Sequence, residues 1–178
     1  MKSKLLLHVC CATCAAYVLE TLSRVFKVSA FYYNPNIYPP DEYHKRFSET
    51  VEYCRKSGIP FIEAQPDHDS WLLLTRGHEE DPERGERCTI CYQMRLEKTA
   101  VYARENGFGV FGTDLSISPH KDAQRLNSIG RELEVQYGIR YLEADFKKRD
   151  GFKKAMEISR SNNFYRQRYC GCEYSMHD

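Results

Sequence analysis

Apolar and polar positions follow two different periods along this chain, and their alternation predicts strands separated by helices. Short apolar runs are typical of buried strands, and apolar positions three and four residues apart are typical of amphipathic helices. The predicted strands are Lys4–Val9, Val28–Tyr33, Pro60–Ala64, Val110–Gly112 and Arg140–Ala144. The predicted helices cover Val18–Phe26, Tyr43–Cys54, Cys88–Asn106, Leu126–Tyr137 and Gly151–Ser161, with a helical turn over Ser70–Arg76. Strand followed by helix, repeated along the chain, predicts an α/β fold of three layers, with a Rossmann-like parallel sheet covered on both faces.

The first turn after a strand is the expected place for a ligand. In a parallel sheet of this kind the crevice lies beyond the carboxyl ends of the strands, next to the first strand. Cys10 and Cys11 fall at that turn, and no glycine occurs between Met1 and Phe31. A phosphate-binding nucleotide fold would place glycines here. We therefore expect neither a dinucleotide site nor a P-loop at this turn.

Composition and charge exclude several classes of protein. The chain has 178 residues, 26 Lys and Arg against 25 Asp and Glu, and 42% hydrophobic residues. This is too apolar for disorder, and no run reaches the roughly 20 apolar residues that span a bilayer. The apolar stretch near the start is shorter than the roughly 7–15 residues of a signal peptide. We expect residues 1–178 to form one cytoplasmic domain.

The eight cysteines are clustered rather than scattered. Clustered cysteines in the reducing cytosol indicate metal or redox chemistry rather than structural disulfides. Cys54 stands alone on the apolar face of its helix, where a cysteine usually behaves as a small buried hydrophobe.

Two groups of cysteines together are suited to a metal centre. Cys88 and Cys91 have the two-residue gap that directs both sulfurs at one metal or cluster, and Cys10 and Cys11 lie at the predicted crevice. A structural zinc site usually uses two short knuckles, which adjacent cysteines suit poorly, so a [4Fe–4S] cluster is favoured over zinc or unliganded thiols. Cys14 competes as a ligand, since it follows Cys11 by the same spacing.

Near the C-terminus, Cys170-Gly-Cys172 indicates redox chemistry. Two cysteines this close form only a small, strained ring, and strained disulfides are easily reduced. The alternative is two unpaired thiols in a frayed tail. The preceding residues 163–170 are rich in aromatic side chains and Arg, which favours a docked segment.

Several motifs jointly resemble those of the QueH family of epoxyqueuosine reductases. The resemblance runs from end to end of the chain. The motifs are His8-Val-Cys-Cys-Ala-Thr-Cys14, Asn34-Pro-Asn-Ile with Glu42-Tyr43 and Arg46, Arg87-Cys-Thr-Ile-Cys-Tyr-Gln-Met-Arg-Leu96, Ser118-Pro-His-Lys121, and Phe164-Tyr-Arg-Gln-Arg-Tyr-Cys-Gly-Cys172.

The resemblance implies a cobalamin-independent enzyme that deoxygenates epoxyqueuosine in tRNA to queuosine. It implies a fold similar to the adenine nucleotide alpha hydrolases, a [4Fe–4S] cluster and an electron donor that the sequence does not identify. By motif position the cluster ligands are Cys10, Cys11, Cys88 and Cys91. The redox-active pair is Cys170 and Cys172.

The implied reaction sets further requirements. An epoxide becomes an alkene and water by taking up two electrons and two protons, whereas a [4Fe–4S] cluster normally transfers one electron at a time. The second electron can be stored by the C-terminal dithiol or by a second metal such as an iron ion. Candidates for activating the epoxide oxygen are Cys14, Asp114, His120 and Tyr169.

Charge is distributed unevenly, which bears on RNA binding. Residues 61–90 carry eight acidic and three basic side chains, and residues 140–169 carry nine basic and four acidic ones. A phosphate-contacting face is expected from Lys147, Lys148, Arg149, Lys153, Lys154, Arg160, Arg166 and Arg168, with a solvated helix surface as the alternative. The tyrosines flanking the proline loop are candidates for stacking on a flipped base, with a place in the core as the equal alternative: Tyr32, Tyr33, Tyr38 and Tyr43.

Two other functions are alternatives to epoxyqueuosine reduction for this sequence. One is a zinc-stabilised nucleic-acid-binding module without catalysis. The other is an iron–sulfur tRNA sulfur-transfer enzyme of the related nucleotide fold, which is disfavoured because no Ser-Gly-Gly loop follows the first strand.

Overall fold

The computed structural model describes residues 2–176, which contain every predicted strand and helix. The strands are β1 Lys4–His8, β2 Lys27–Tyr32, β3 Phe61–Glu63, β4 Val110–Thr113 and β5 Arg140–Tyr141. The helices are α1 Ala12–Ser23, α2 Pro40–Lys56, α3 His68–Leu74, α4 Glu86–Glu105, α5 Ala123–Tyr137 and α6 Gly151–Ser161. Two single turns of 3-10 helix, Leu115–Ile117 and Glu173–Ser175, are too short for hydrophobic periodicity to predict.

The five strands form one parallel sheet in the order β3-β2-β1-β4-β5. β1 lies at the centre, where Leu6 is in register with Ser29 of β2 and Phe111 of β4. Its three leucines, at positions 5 to 7, are fully buried. A continuous apolar run is typical of a parallel strand that is covered on both faces.

Alternate residues of β1 face two separate cores. Leu5 and Leu7 pack with residues of α1, α2 and α6, whereas Leu6 packs with residues of α4 and α5. The sheet is therefore the middle layer of three, and the predicted three-layer Rossmann-like fold is confirmed. No helix within residues 2–176 has the length and apolar character needed to cross a membrane.

From β1 the chain adds β2 and β3 on one side, and it then returns to add β4 and β5 on the other side. This change of side creates a crevice at the carboxyl ends of β1 and β4. β1 ends at His8, one residue before the predicted boundary. The next cysteines therefore lie outside the strand alternation, and Cys11 takes an extended conformation (φ −168°, ψ 162°) as the N-cap of α1. Because the chain has left the strand, two adjacent cysteines can face one site.

The last strand is shorter than its apolar pattern predicts. β5 ends at Tyr141, although the pattern continues to Ala144. The backbone carbonyl of Ala144 accepts a hydrogen bond from Asn127 Nδ2 (3.2 Å), and its N–H donates to Asn127 Oδ1 (3.3 Å). A side chain of α5 thus takes the place of a strand partner at the sheet edge.

Candidate functional site

Three thiols meet where β1 turns into α1. The sulfur atoms of Cys10, Cys11 and Cys14 all lie within 4.8 Å of one another. The thiol of Cys10 donates a hydrogen bond to Cys11 Sγ at 3.8 Å. Hydrogen bonds from Cys10 and then Cys14 lower the pKa of the Cys11 thiol well below its usual value. Three soft donors on one turn, two of them buried, are suited to a thiolate-binding metal or cluster.

Cys88 and Cys91 occupy the first turns of α4, and both are buried. Cys88 belongs to the apolar cluster that contains Cys10 and Cys11, and Cys91 packs in a second cluster with Trp71 and Cys172. The backbone N–H of Arg84 donates to Cys88 Sγ at 3.3 Å. The structure thus brings Cys10 and Cys11 together and places Cys88 against the same core.

Buried cations surround these thiols. Within residues 2–176 the buried basic side chains Arg46, Arg87, Arg95 and Lys121 outnumber the two buried carboxyls, Glu42 and Asp114. All four cations line one cavity. Burial raises the pKa of Asp114 well above its usual range, as the charge of Cys11 also does.

Arg95 and Lys121 both contact sulfur. The Arg95 guanidinium donates to Asn34 Oδ1 at 2.6 Å and to Cys91 Sγ at 3.8 Å. Lys121 Nζ donates to Cys170 Sγ at 2.7 Å, and the more exposed Glu83 carboxylate lies farther away at 3.7 Å. Burial alone would lower the pKa of Lys121, but the negative charge of Cys170 raises it overall.

The surplus of buried cations bears on the kind of cofactor that the site can hold. An uncompensated buried charge is costly, so these cations favour an anionic group among them. A thiolate-bound iron–sulfur cluster is such a group. The donor set and the charge of its surroundings therefore fit that cofactor.

The C-terminal segment lines this cavity and is hydrogen-bonded to the rest of the protein, which confirms the expectation of a docked segment. Gln167 Nε2 donates to Cys11 Sγ at 3.3 Å. The Arg46 guanidinium donates to the carbonyl oxygens of Cys170 (3.0 Å) and Tyr169 (3.2 Å). Contacts across more than a hundred residues of sequence thus hold the last part of the chain against α2 and the first turn of α1.

The two C-terminal cysteines have different surroundings. Cys170 lines the cavity, whereas Cys172 is buried against Trp71 and Cys91. A hydrogen bond from Cys172 lowers the pKa of the Cys170 thiol well below its usual value, and Lys121 adds to this effect against the opposing effect of burial. Gly171 between them has φ +120°, and a Cβ there would lie 3.0 Å from Arg46 Nη1. The turn that positions both sulfurs thus depends on glycine.

The cavity has a volume of about 370 Å³, which lies in the range of small-molecule sites. Three of the four candidates for activating the epoxide oxygen, Cys14, His120 and Tyr169, line it. The fourth, Asp114, is buried beside Cys10 and accepts a hydrogen bond from its backbone N–H at 3.2 Å. The site therefore has polar groups on several sides.

Three of the four tyrosines considered for base stacking are core residues, which is the alternative that the sequence left open. Tyr32, Tyr33 and Tyr43 are buried in the cores, so their rings are not available to stack on a base. Both faces of a parallel sheet are covered, and adjacent strand residues can therefore both be buried. Only Tyr38 is exposed, and its ring stacks on His68 with ring centres 5.8 Å apart.

The predicted basic face also includes side chains that are bonded within the protein, among them Lys147 and Lys154, whose Nζ donates to the carbonyl oxygen of Arg149 at 3.0 Å. Lys147 Nζ donates to the carbonyl oxygen of Ser116 at 3.0 Å and lies 3.3 Å from Asp145 Oδ1. Its charge is already compensated, so it is poorly placed to bind phosphate. Exposed members of the predicted set, such as Arg166 and Arg168, lie at the cavity.

Sequence reasoning missed the role of Arg95. It lies four residues after Cys91 on α4, and this spacing places the two side chains on the same helix face. That signal is present in the sequence. The long-range partner Asn34 is not visible there, because it depends on how the sheet assembles.

Replacing Arg46 by Met should lower the free energy of unfolding by about 3–5 kcal/mol, because it leaves the buried Glu42 carboxylate without its partner. Arg46 Nε lies 2.7 Å from Glu42 Oε1, and both side chains are buried. Urea unfolding under anaerobic conditions measures the effect. Adding Glu42→Gln should restore part of the loss, and the exposed Arg55→Met should cost less than about 0.5 kcal/mol. A loss below about 1 kcal/mol in Arg46→Met would contradict the assigned role.

The chain is similar to proteins named epoxyqueuosine reductase QueH. The family model for the epoxyqueuosine reductase QueH matches residues 5–178. An epoxyqueuosine reductase QueH from Acinetobacter baylyi is 44% identical over 177 residues, which cover 98% of this chain and 81% of that protein. One from Histophilus somni is 43% identical, with 99% of this chain and 73% of that protein covered.

A solved structure shares the fold. The U34-tRNA thiolase NcsA from Methanococcus maripaludis, solved with its [4Fe-4S] cluster, is similar with a TM-score of 0.63 at 14% identity. The match covers 99% of this chain and 62% of that chain. At this identity the likeness shows the fold, which is the three-layer α/β fold expected from the sequence.

Proposed function

The chain belongs to the QueH family of epoxyqueuosine reductases, and from this membership we propose that it deoxygenates epoxyqueuosine in tRNA to queuosine without cobalamin. The cysteine-lined cavity is the structural observation that carries the proposal. Three cysteines, Cys10, Cys14 and Cys170, reach it from opposite ends of the chain. We place the reaction in the cytoplasm.

The proposed reaction breaks both carbon–oxygen bonds of the epoxide, forms a carbon–carbon double bond and releases the oxygen as water. It consumes two electrons and two protons. The buried cations at the cavity, among them Arg46, Arg95 and Lys121, are placed to stabilise negative charge that develops on the epoxide oxygen. Burial strengthens such interactions, because the effective dielectric constant is lower than in water.

We assign the cluster ligands to Cys10, Cys11, Cys88 and Cys91. A [4Fe–4S] cluster, when bound, supplies single electrons. The burial of all four thiols and the surplus of buried cations support this ligand set. Cys14 lies within the same group of thiols, so its substitution is a necessary comparison.

We assign the storage of two electrons to Cys170 and Cys172. Two thiols that become a disulfide release two electrons and two protons, which matches the demand of the epoxide. The contact between Lys121 and the Cys170 sulfur supports this role, since it favours the reactive thiolate. An electron donor outside the chain then returns the disulfide to the dithiol. A second iron ion is the alternative store.

We also propose that the chain is organised as a single domain. Residues 1–178 act as one iron–sulfur α/β domain, and the basic C-terminal segment brings the dithiol to the cavity. The hydrogen bonds from Arg46 and Gln167 that hold that segment in place support this view.

The direct test is conversion of the substrate. Anaerobically purified protein, a chemical reductant and tRNA carrying epoxyqueuosine should yield queuosine, which mass spectrometry of the digested nucleosides detects as the loss of one oxygen atom. The Acinetobacter baylyi relative serves as the positive control. The proposal would be overturned if this protein left epoxyqueuosine unchanged under conditions in which the relative converts it.

A further inference from the structure

We propose that Arg166 and Arg168 bind the two phosphates flanking the nucleotide whose base enters the cavity, an inference that rests on the proposed action on tRNA. Both side chains are exposed, and both lie at the cavity. Arginine forms charge-assisted and often bidentate hydrogen bonds with phosphate oxygens.

Alternation along the C-terminal segment directs these two side chains outward. Between them, Gln167 points inward and donates to Cys11 Sγ at 3.3 Å. Just before them, Tyr165 points inward and its hydroxyl donates to Glu42 Oε2 at 3.0 Å. Tyr165 and Gln167 thus contact the protein, whereas the alternate residues Arg166 and Arg168 face solvent.

Within the part of the chain that the structure describes, neither arginine has a side-chain partner. Across residues 2–176, no ion pair or side-chain hydrogen bond within the protein involves Arg166 or Arg168. Other basic groups of the cavity differ, since Arg46 is bonded to Glu42 and Lys121 to Cys170. The two outward arginines are therefore free to take an external anion.

The backbone that carries the arginines is held on both sides. The N–H of Tyr165 donates to Glu49 Oε1 at 2.7 Å, before the first arginine. Arg46 binds the carbonyl oxygens of Tyr169 and Cys170, after the second. An anchored backbone presents side chains with little ordering of the chain on binding, which favours affinity.

The position of the pair favours RNA over a free anion. The cavity beneath is lined by polar groups and has room for a nucleoside base, which must leave its stack to reach the cysteines. A nucleotide turned into the cavity keeps a phosphate on each side of it at the rim. Single-stranded RNA loops, whose bases can be splayed outward, present this arrangement.

The test compares the double variant Arg166→Gln/Arg168→Gln, called the rim variant, with wild type, using epoxyqueuosine-containing tRNA and the free epoxyqueuosine nucleoside. The matched control, Arg24→Gln/Lys27→Gln, removes the same charge from exposed positions at the amino end of β2, away from the crevice at the carboxyl ends of the strands. Binding is measured at several salt concentrations on the anaerobic holoprotein, and KM and kcat are measured separately. Iron content checks that each variant remains loaded.

We expect the rim variant to bind tRNA about tenfold more weakly and to raise KM, with kcat within about twofold of wild type. The dependence of log affinity on log salt should lose about 1.4 in slope, or about 0.7 for each phosphate contact to a single strand. Binding of the free nucleoside should not change. Wild-type affinity and slope in the rim variant, or an equal loss in the control, would overturn the inference.

The two proposals fail in different ways. If tRNA binding depends on the two arginines but epoxyqueuosine is never reduced, the phosphate contacts stand and the proposed activity fails. If wild type reduces epoxyqueuosine and the rim variant does so with an unchanged KM, the activity stands and the phosphate contacts fail.

Discussion

Replacing Cys88 by Ser should remove most of the bound iron and all measurable reduction of epoxyqueuosine. A serine hydroxyl is a much poorer ligand for iron than a thiolate, and loss of one of four ligands leaves the cluster incompletely held. Cys88 is buried beside the core that contains Cys10 and Cys11, so no solvent-exposed group can replace it readily. The same result is expected for Ser at Cys10, Cys11 and Cys91. Iron content, visible absorbance and conversion assays measure it.

Cys54→Ser is the matched control for these variants. Cys54 is fully buried, packs in the core on the other face of the sheet from Cys88, and burial raises the pKa of its thiol to about 12. This variant should keep its iron and its turnover. Full iron occupancy in Cys88→Ser would contradict the assigned ligands.

Cys14→Ser separates two ligand sets. Cys14 lies within 4.8 Å of Cys10 and Cys11, so distance alone does not distinguish the three thiols. The assigned set predicts normal iron content in this variant. Loss of iron in Cys14→Ser together with normal iron in Cys11→Ser would transfer the ligand role to Cys14.

Replacing Cys170 or Cys172 by Ser should reduce multiple-turnover reduction by at least about tenfold, a barrier change of roughly 1.4 kcal/mol, and leave the iron in place. Without both thiols the dithiol cannot store the two electrons that the epoxide requires. The cluster should persist, because neither residue belongs to the assigned ligands. Iron content and steady-state turnover distinguish this outcome from loss of the cofactor.

Thiol alkylation followed by mass spectrometry provides an independent readout for the same pair. In wild type the pair should be oxidised after one turnover without reductant and free after reduction. Cys54 serves as the internal reference, because its oxidation in the same denatured and alkylated sample reports unspecific oxidation. If both serine variants turn over at the wild-type rate, the C-terminal turn is structural and the electrons follow another route.

The fold was predictable because its central strands, β1 and β4, are buried on both faces. The run of residues 5–7 is apolar throughout, and Gly138 ends α5 in a left-handed conformation (φ +63°), as a helix-stop glycine is expected to do. Boundaries were less predictable where polar contacts end an element. His8 hydrogen-bonds Thr113 and the carbonyl of Tyr33, and β1 stops there although the next residue is apolar.

The grouping of Cys10, Cys11 and Cys14 on one turn was predictable from the sequence, whereas the buried cations around them were not. Spacing alone identifies the clusters of thiols, since local geometry decides which sulfurs share a turn. The contact between Lys121 and Cys170 joins residues 49 positions apart and depends on the docked C-terminal segment. The pattern of charge along the chain predicts a basic C-terminal segment, but it does not distinguish the internally bonded Lys147 from the exposed Arg166.

The most direct test of the central claim is the metal content of anaerobically purified wild-type protein. An iron–sulfur centre held by four cysteines predicts a brown protein with about four iron and four sulfide ions per chain. Alkylation of the intact holoprotein should spare Cys10, Cys11, Cys88 and Cys91. A colourless protein with about one zinc ion per chain would contradict the account and would favour a structural metal site instead.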